Sequence, residues 1–146
     1  MTYAKDLALR DYQALAEFRH RLRLFLHFSE EKAREHALEP QQHQALLVLR
    51  GLPRDVRPTI GELATRLLLR HHTTVELVNR LEAAGLVRRT ADQEDKRSIL
   101  IHFTPKGARK LLTLTRAHRD ELRVKGPELA RALRAILREN RSRRAA

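Results

Sequence analysis

Between Arg70 and Arg97 this chain gathers side chains that donate hydrogen bonds or carry positive charge, spaced as a reader of a polyanion needs them. One group runs Arg70-His71-His72-Thr73-Thr74, followed by Glu76 and Arg80; a second is Asp95-Lys96-Arg97, with Arg88 lying between the two. Side chains of these types hydrogen-bond base edges and neutralise phosphates. No Gly-rich phosphate loop, metal-ligand cluster or nucleophile–base arrangement accompanies them, so no enzyme and no cofactor are expected.

Such groups need elements to position them. Thr59 with Glu62 reads as a capping box opening a short helix that bears Leu63, Ala64 and Leu67. A second box, Thr73 with Glu76, opens a helix whose apolar face is Leu77, Val78 and Leu81, and Gly85 ends it. Residues 69–72 form the turn between them. Leu86 to Thr90 then reads as a strand, residues 91–96 as a charged hairpin tip, and Ile99, Ile101 and Phe103 alternate as a half-buried returning strand. Helix, turn, helix, strand, turn, strand is the order of a winged helix-turn-helix, whose second helix enters a DNA major groove.

Long helical stripes flank this module. From about Lys5 to His36 the apolar residues are Leu15, Phe18, Leu22, Phe25 and Leu26. Pro40 opens a helix with Leu46, Leu47 and Leu49 that stops at Gly51-Leu52-Pro53. Thr104-Pro105 starts a helix striped by Leu111, Leu114, His118 and Leu122. Gly126-Pro127 is expected to separate it from a last helix bearing Leu129, Leu133, Ile136 and Leu137, with a frayed end from Asn140. The expected fold is mainly α (α+β), a winged helix-turn-helix with N- and C-terminal dimerisation helices. All of 1–146 forms one domain, in which 1–38 and 105–146 dimerise and 39–104 is the DNA-binding lobe. The terminal stripes have little to pack against in one chain, and a two-fold dimer would bury them.

Bulk properties agree, with a qualification. A formal charge of +12 and a pI near 11.2 favour a polyanionic partner. Yet from Arg70 to Arg97 basic residues outnumber acidic ones by only one, and much of the excess lies in Arg19, Arg21, Arg23 and the run Arg131 to Arg144. With no cysteine, disulfides, thiolate zinc sites and cysteine redox sensing are excluded. No run of about 18 apolar residues and no apolar signal core are present, so no membrane association and a cytoplasmic location are expected.

Thr59-Ile-Gly-Glu-Leu-Ala64, Thr73 to Arg80, Leu81-Glu-Ala-Ala-Gly-Leu-Val-Arg-Arg89, Asp95-Lys-Arg97, Ile101 and Thr104-Pro-Lys-Gly107 together resemble the MarR (multiple antibiotic resistance regulator) family of bacterial winged-helix repressors. The likeness covers most of the chain, and the order and spacing carry it rather than any one piece. It implies a triangular homodimer whose terminal helices form the body. Recognition helices would enter major grooves and wings would reach adjacent minor grooves. It also implies a small-molecule effector, often aromatic or phenolic, bound between body and DNA-binding lobe.

Individual residues admit rival roles. Thr59, Arg70, His71, His72, Thr73, Thr74 and Arg88 are candidate base or phosphate contacts. Glu76 either completes the cap of its own helix or accepts a bond from a cytosine amino group. Arg80 contacts phosphate or is simply solvated. Lys96 and Arg97 are the candidate wing contacts. The resemblance adds that Asp95 holds the Arg97 guanidinium, for DNA or as a purely structural pair. No histidine pair shows the i, i+4 spacing of a helical metal site, so no metal is expected; His20 and His43 are offered as ligand-pocket residues. The Arg-rich end is a solvated helix face or a DNA-flanking arm.

The leading function is a repressor that binds a pseudo-palindromic double-stranded operator as a homodimer, with half-sites about 10 base pairs apart, and leaves when an effector binds. The rival is a sequence-indifferent nucleic-acid binder driven by charge, which would show near-equal affinity for operator and random DNA.

Overall fold

A computed structural model describes residues 6–145, with side chains described as far as residue 138. Lys5 and the side chains of Arg141, Arg143 and Arg144 lie outside the described residues, and with them the two accounts of the Arg-rich end.

The elements in order are α1 (Leu9–Glu35), α2 (Pro40–Arg50), α3 (Ile60–Leu67), α4 (His71–Ala83), β1 (Val87–Ala91), β2 (Ile99–Phe103) and α5 (Pro105–Ala145). They form two compact units, residues 30–116 and residues 1–29 with 117–146. The boundaries between them fall inside α1 and α5.

The unit of residues 30–116 is built around Leu46, Leu63, Leu77, Val78, Leu81, Leu86, Val87, Ile101, Leu111 and Leu114, all buried in one cluster. Local chemistry explains its element boundaries. Pro40 begins α2, where its missing N–H costs nothing, and the Gln42 side chain accepts from the Glu39 backbone N–H at 2.9 Å. Thr59 caps α3, its Oγ1 accepting from the Glu62 N–H at 3.1 Å. Gly85, at φ 72°, follows α4 and turns the chain into the hairpin. Thr104 caps α5, its hydroxyl oxygen accepting from the Gly107 N–H at 3.1 Å.

β1 and β2 pair antiparallel, with Val87 opposite Phe103, Arg89 opposite Ile101 and Ala91 opposite Ile99. Ile101 is the buried member of the expected alternation; Phe103 is half-buried and Ile99 is exposed. A single bridge joins Thr59 to Leu100, and the Ile101 N–H donates to the Pro58 carbonyl at 2.9 Å. The segment before α3 thus runs along the outer edge of β2.

Three expectations fail here. α4 starts at His71 rather than Thr73, because the Thr74 N–H already donates to the Arg70 carbonyl at 3.0 Å, closing a first turn. The turn between α3 and α4 is consequently short, and it places Leu68 at φ 57° with 92% of its surface exposed. Finally, Gly126-Pro127 does not divide the C-terminal segment. α5 runs through it, and the backbone stays helical where a frayed end was expected.

In the other unit α1 faces α5. Arg21 bonds Glu128 at 2.7 Å and Glu17 at 2.7 Å. The His118 Nε2 meets the Ser29 hydroxyl at 2.8 Å, and the His118 ring stands edge-on to Phe25 and Phe28. Contacts just past Pro127, the Arg21–Glu128 pair and buried Ala132, hold the helix through its missing hydrogen bond. Leu15, Leu26, Leu122, Leu133 and Leu137 remain exposed, so the terminal stripes are only partly buried within one chain.

Candidate nucleic-acid interface

Three of the candidate residues, contributed by three elements, converge. Thr59 at the start of α3, His71 at the start of α4 and Arg97 in the wing line one open hollow together with Gly61 and Ser98. Arg70 and His72 are exposed beside His71, and Lys96 is exposed beside Arg97. Arg70 is the N-cap residue of α4, and its side chain makes no cap bond.

The remaining candidates divide. Thr73 is half-buried, and Thr74 is fully buried, its hydroxyl donating to the Arg70 carbonyl at 2.9 Å. Thr74 therefore shapes the first turn of α4 instead of touching a ligand. Glu76 is exposed and lies well inside α4, which removes the capping role. The Arg80 Nε donates to Glu39 at 3.1 Å, an exposed pair of small energetic worth that a phosphate can displace. Arg88 is exposed on β1 opposite His102. Its neighbour Arg89 is tied to Glu82 by backbone and guanidinium bonds of 3.0 and 3.1 Å. The Arg89 side chain, then its backbone N–H, lower the Glu82 pKa.

The Asp95 carboxylate accepts from the Arg97 backbone N–H at 3.1 Å and from the Ser98 hydroxyl at 3.4 Å. That geometry builds the turn at the wing tip, and among the described residues no ion pair joins Asp95 to the Arg97 guanidinium, which corrects the expected carboxylate–guanidinium pair.

The two ligand-pocket candidates lie in different units. His43 is only 2% exposed and belongs to the core of its unit, whereas His20 is exposed on α1 in the other. The unit of residues 1–29 and 117–146 holds a cavity of about 190 Å³, lined by Leu24, Phe25, Leu122 and Leu129 together with Arg21, Glu121, Lys125 and Glu128. Neither histidine lines it. Among the described residues no group of three or more metal-binding side chains occurs, and no helix is long and apolar enough to cross a membrane.

One long-range contact escaped the sequence. Arg57, in the loop before α3, donates its Nη2 to Asp92 Oδ1 at 2.5 Å, and its Nη1 closes on the second oxygen. Asp92 was expected in the charged hairpin tip, and its side chain is 1% exposed. Burial pushes the Asp92 pKa up, but backbone N–H bonds from Glu94 and Asp95 and the Arg57 guanidinium outweigh this, and the net shift is downward. The two residues are 35 positions apart, and no local pattern links them.

Helix α3, helix α4 and the β1–β2 hairpin define a winged helix-turn-helix. Residues 37–98 match the model of the MarR family. Among relatives, a stretch of 65 residues is 35% identical to YsmB of Bacillus subtilis, an uncharacterised HTH-type transcriptional regulator. It takes in 44% of this chain and 44% of that protein, so the match spans under half of the relative's length. Among solved structures, AbsC of Streptomyces coelicolor, a MarR family transcriptional regulator, superposes with a TM-score of 0.72 at 22% identity, over 95% of this chain and 99% of its own. A complex of Staphylococcus aureus MepR with DNA gives 0.68 at 18% identity, over 96% and 98%. At such identities these structures establish the fold.

Proposed function

We propose that the protein is a DNA-binding transcriptional regulator that grips a pseudo-palindromic operator as a homodimer. The observation carrying this is the convergence of Thr59, His71 and Arg97 on one hollow, with Arg70, His72 and Lys96 exposed around it. Donors at the start of α4 meet base edges, while Lys96 and Arg97 meet phosphate or the minor groove. Glu76 accepts from a cytosine amino group, and Arg80 and Arg88 contact flanking phosphates.

Exposed Leu122, Leu133 and Leu137 on α5, with Leu15 and Leu26 on α1, supply the apolar surface that a second copy covers. The cavity beside Phe25 is lined by apolar and charged side chains, the composition of a site for a small effector whose binding releases DNA.

Selection from a random duplex pool followed by footprinting tests the reading. Two protected half-sites about 10 base pairs apart are expected. Equal affinity for selected and random duplexes at fixed salt would instead establish charge-driven, sequence-indifferent binding. On the selected duplex, Arg97→Ala should weaken binding by about 1–3 kcal/mol in a gel-shift titration with the fold intact.

A further inference from the structure

We propose that Arg57 is a positioning residue for the wing, holding buried Asp92 so that the hairpin presents Lys96 and Arg97 in one fixed place. The proposal rests on the DNA-binding reading above and deepens it.

The base of the wing is held by buried Val87 and Ile101 and by the two bonds of Arg89 to Glu82, none of which reaches the tip. The two strands of the wing pair with each other over five residues each, and the link to the rest of the fold along β2 is the short segment at residues 58 and 59. Beyond Ala91 the chain leaves the ladder and turns through residues 92–98. Asp92 stands at that exit. Its N–H donates to the Ser98 carbonyl at 3.0 Å, closing the turn, and its Oδ1 accepts from the Glu94 N–H at 2.9 Å. Arg57 is the cation that permits this carboxylate to be buried, and it also lies 3.6 Å from Glu94.

A carboxylate left in such a site without its cation is strongly unfavourable, and the group moves to water instead. Loss of Arg57 therefore draws Asp92 out, opens the Asp92–Ser98 closure and frees the tip that carries Lys96 and Arg97. Arg57 also sits two residues before Thr59, the cap of α3. One short segment thus ties the wing to the start of α3, and with it to the hollow lined by His71. A wing fixed beforehand has less freedom to lose when it meets a duplex.

Arg57 is 43% exposed, so a direct phosphate contact by its own guanidinium is the alternative to be separated. The chain has no cysteine, which allows a single nitroxide to be placed at the wing through Gln93→Cys. Spectra are compared for the parent, Arg57→Gln and Arg57→Lys. Alongside, affinities for the duplex selected by the parent are measured for Arg57→Gln, Arg97→Ala and the double variant.

The expected result is a mobile label in Arg57→Gln, with immobility largely restored in Arg57→Lys. Binding should be weaker by about tenfold in each single variant and no weaker in the double, because both act through one wing. Multiplying losses in the double variant with an immobile label would make Arg57 an independent phosphate contact and overturn the proposal. Unchanged spectra and affinity would overturn it too. If Arg57→Gln fails to fold, Arg57→Lys decides: its label must be slightly more mobile than the parent's, with a small loss of affinity. A parent that selects no sequence sinks the regulator reading, and the spectra alone then decide whether Arg57 holds the hairpin.

Discussion

Thr74 and Asp92 show how little residue type says about role until burial is known. Threonine at the head of a recognition helix suits base contact, but here its hydroxyl satisfies the Arg70 carbonyl inside the fold. Aspartate in a charged tip suits solvent, but here it anchors the tip from within. Its lowered pKa has a consequence for stability. The unfolded chain takes up this proton first, so the Asp92 contribution is present above the ordinary carboxylate range and is lost as pH falls through the lowered folded value. Denaturant melts between about pH 5 and 3 should show the parent losing stability with acid. Asp92→Asn should be less stable at neutral pH and flatter across that window. Equal slopes for the two proteins would exclude Asp92 as the source.

At the scale of elements, two positions depend on the absence of something. A Cβ on Gly107 would lie 2.0 Å from the Leu86 carbonyl oxygen, a distance no real contact allows. α5 therefore starts flush against the turn that leads into β1, and Gly107→Ala should destabilise the fold by about 1–3 kcal/mol in chemical denaturation. A neutral outcome would mean that the first turn of α5 can shift away freely. Pro127 is the reverse case, a helix breaker that breaks nothing. The Arg21–Glu128 pair and the packing beside it hold α5 through the gap. Pro127→Ala restores a backbone hydrogen bond and should stabilise the helix by up to about 3 kcal/mol, seen as a higher Tm. A lower Tm would show that the proline shapes the helix for a purpose.

At the scale of the whole molecule, the unfinished business is the apolar surface of the terminal helices. Leu137 is 54% exposed, and Leu133 and Leu122 on the same helix are exposed with it. Exposed leucines at helical spacing on a long helix are what a second copy would cover. Leu133→Glu with Leu137→Glu should shift sedimentation from dimer to monomer at micromolar concentration and lower operator affinity by removing the second half-site contact. A double variant that stays dimeric would place the interface elsewhere.

The sequence by itself determined the order of elements, the Thr59 and Thr104 caps, the Pro40 start, the Gly85 turn and the buried face of α4. It also placed Thr59, His71 and Arg97 among the candidates before their convergence was known. Each of these rests on residues within a few positions of one another, where spacing and turn chemistry speak directly. Tertiary structure alone decided the rest. It turned Thr74 inward, buried His43, carried α5 through Gly126-Pro127 and joined Arg57 to Asp92 across 35 residues. Burial and long-range pairing depend on which surfaces meet, and local pattern carries no record of that.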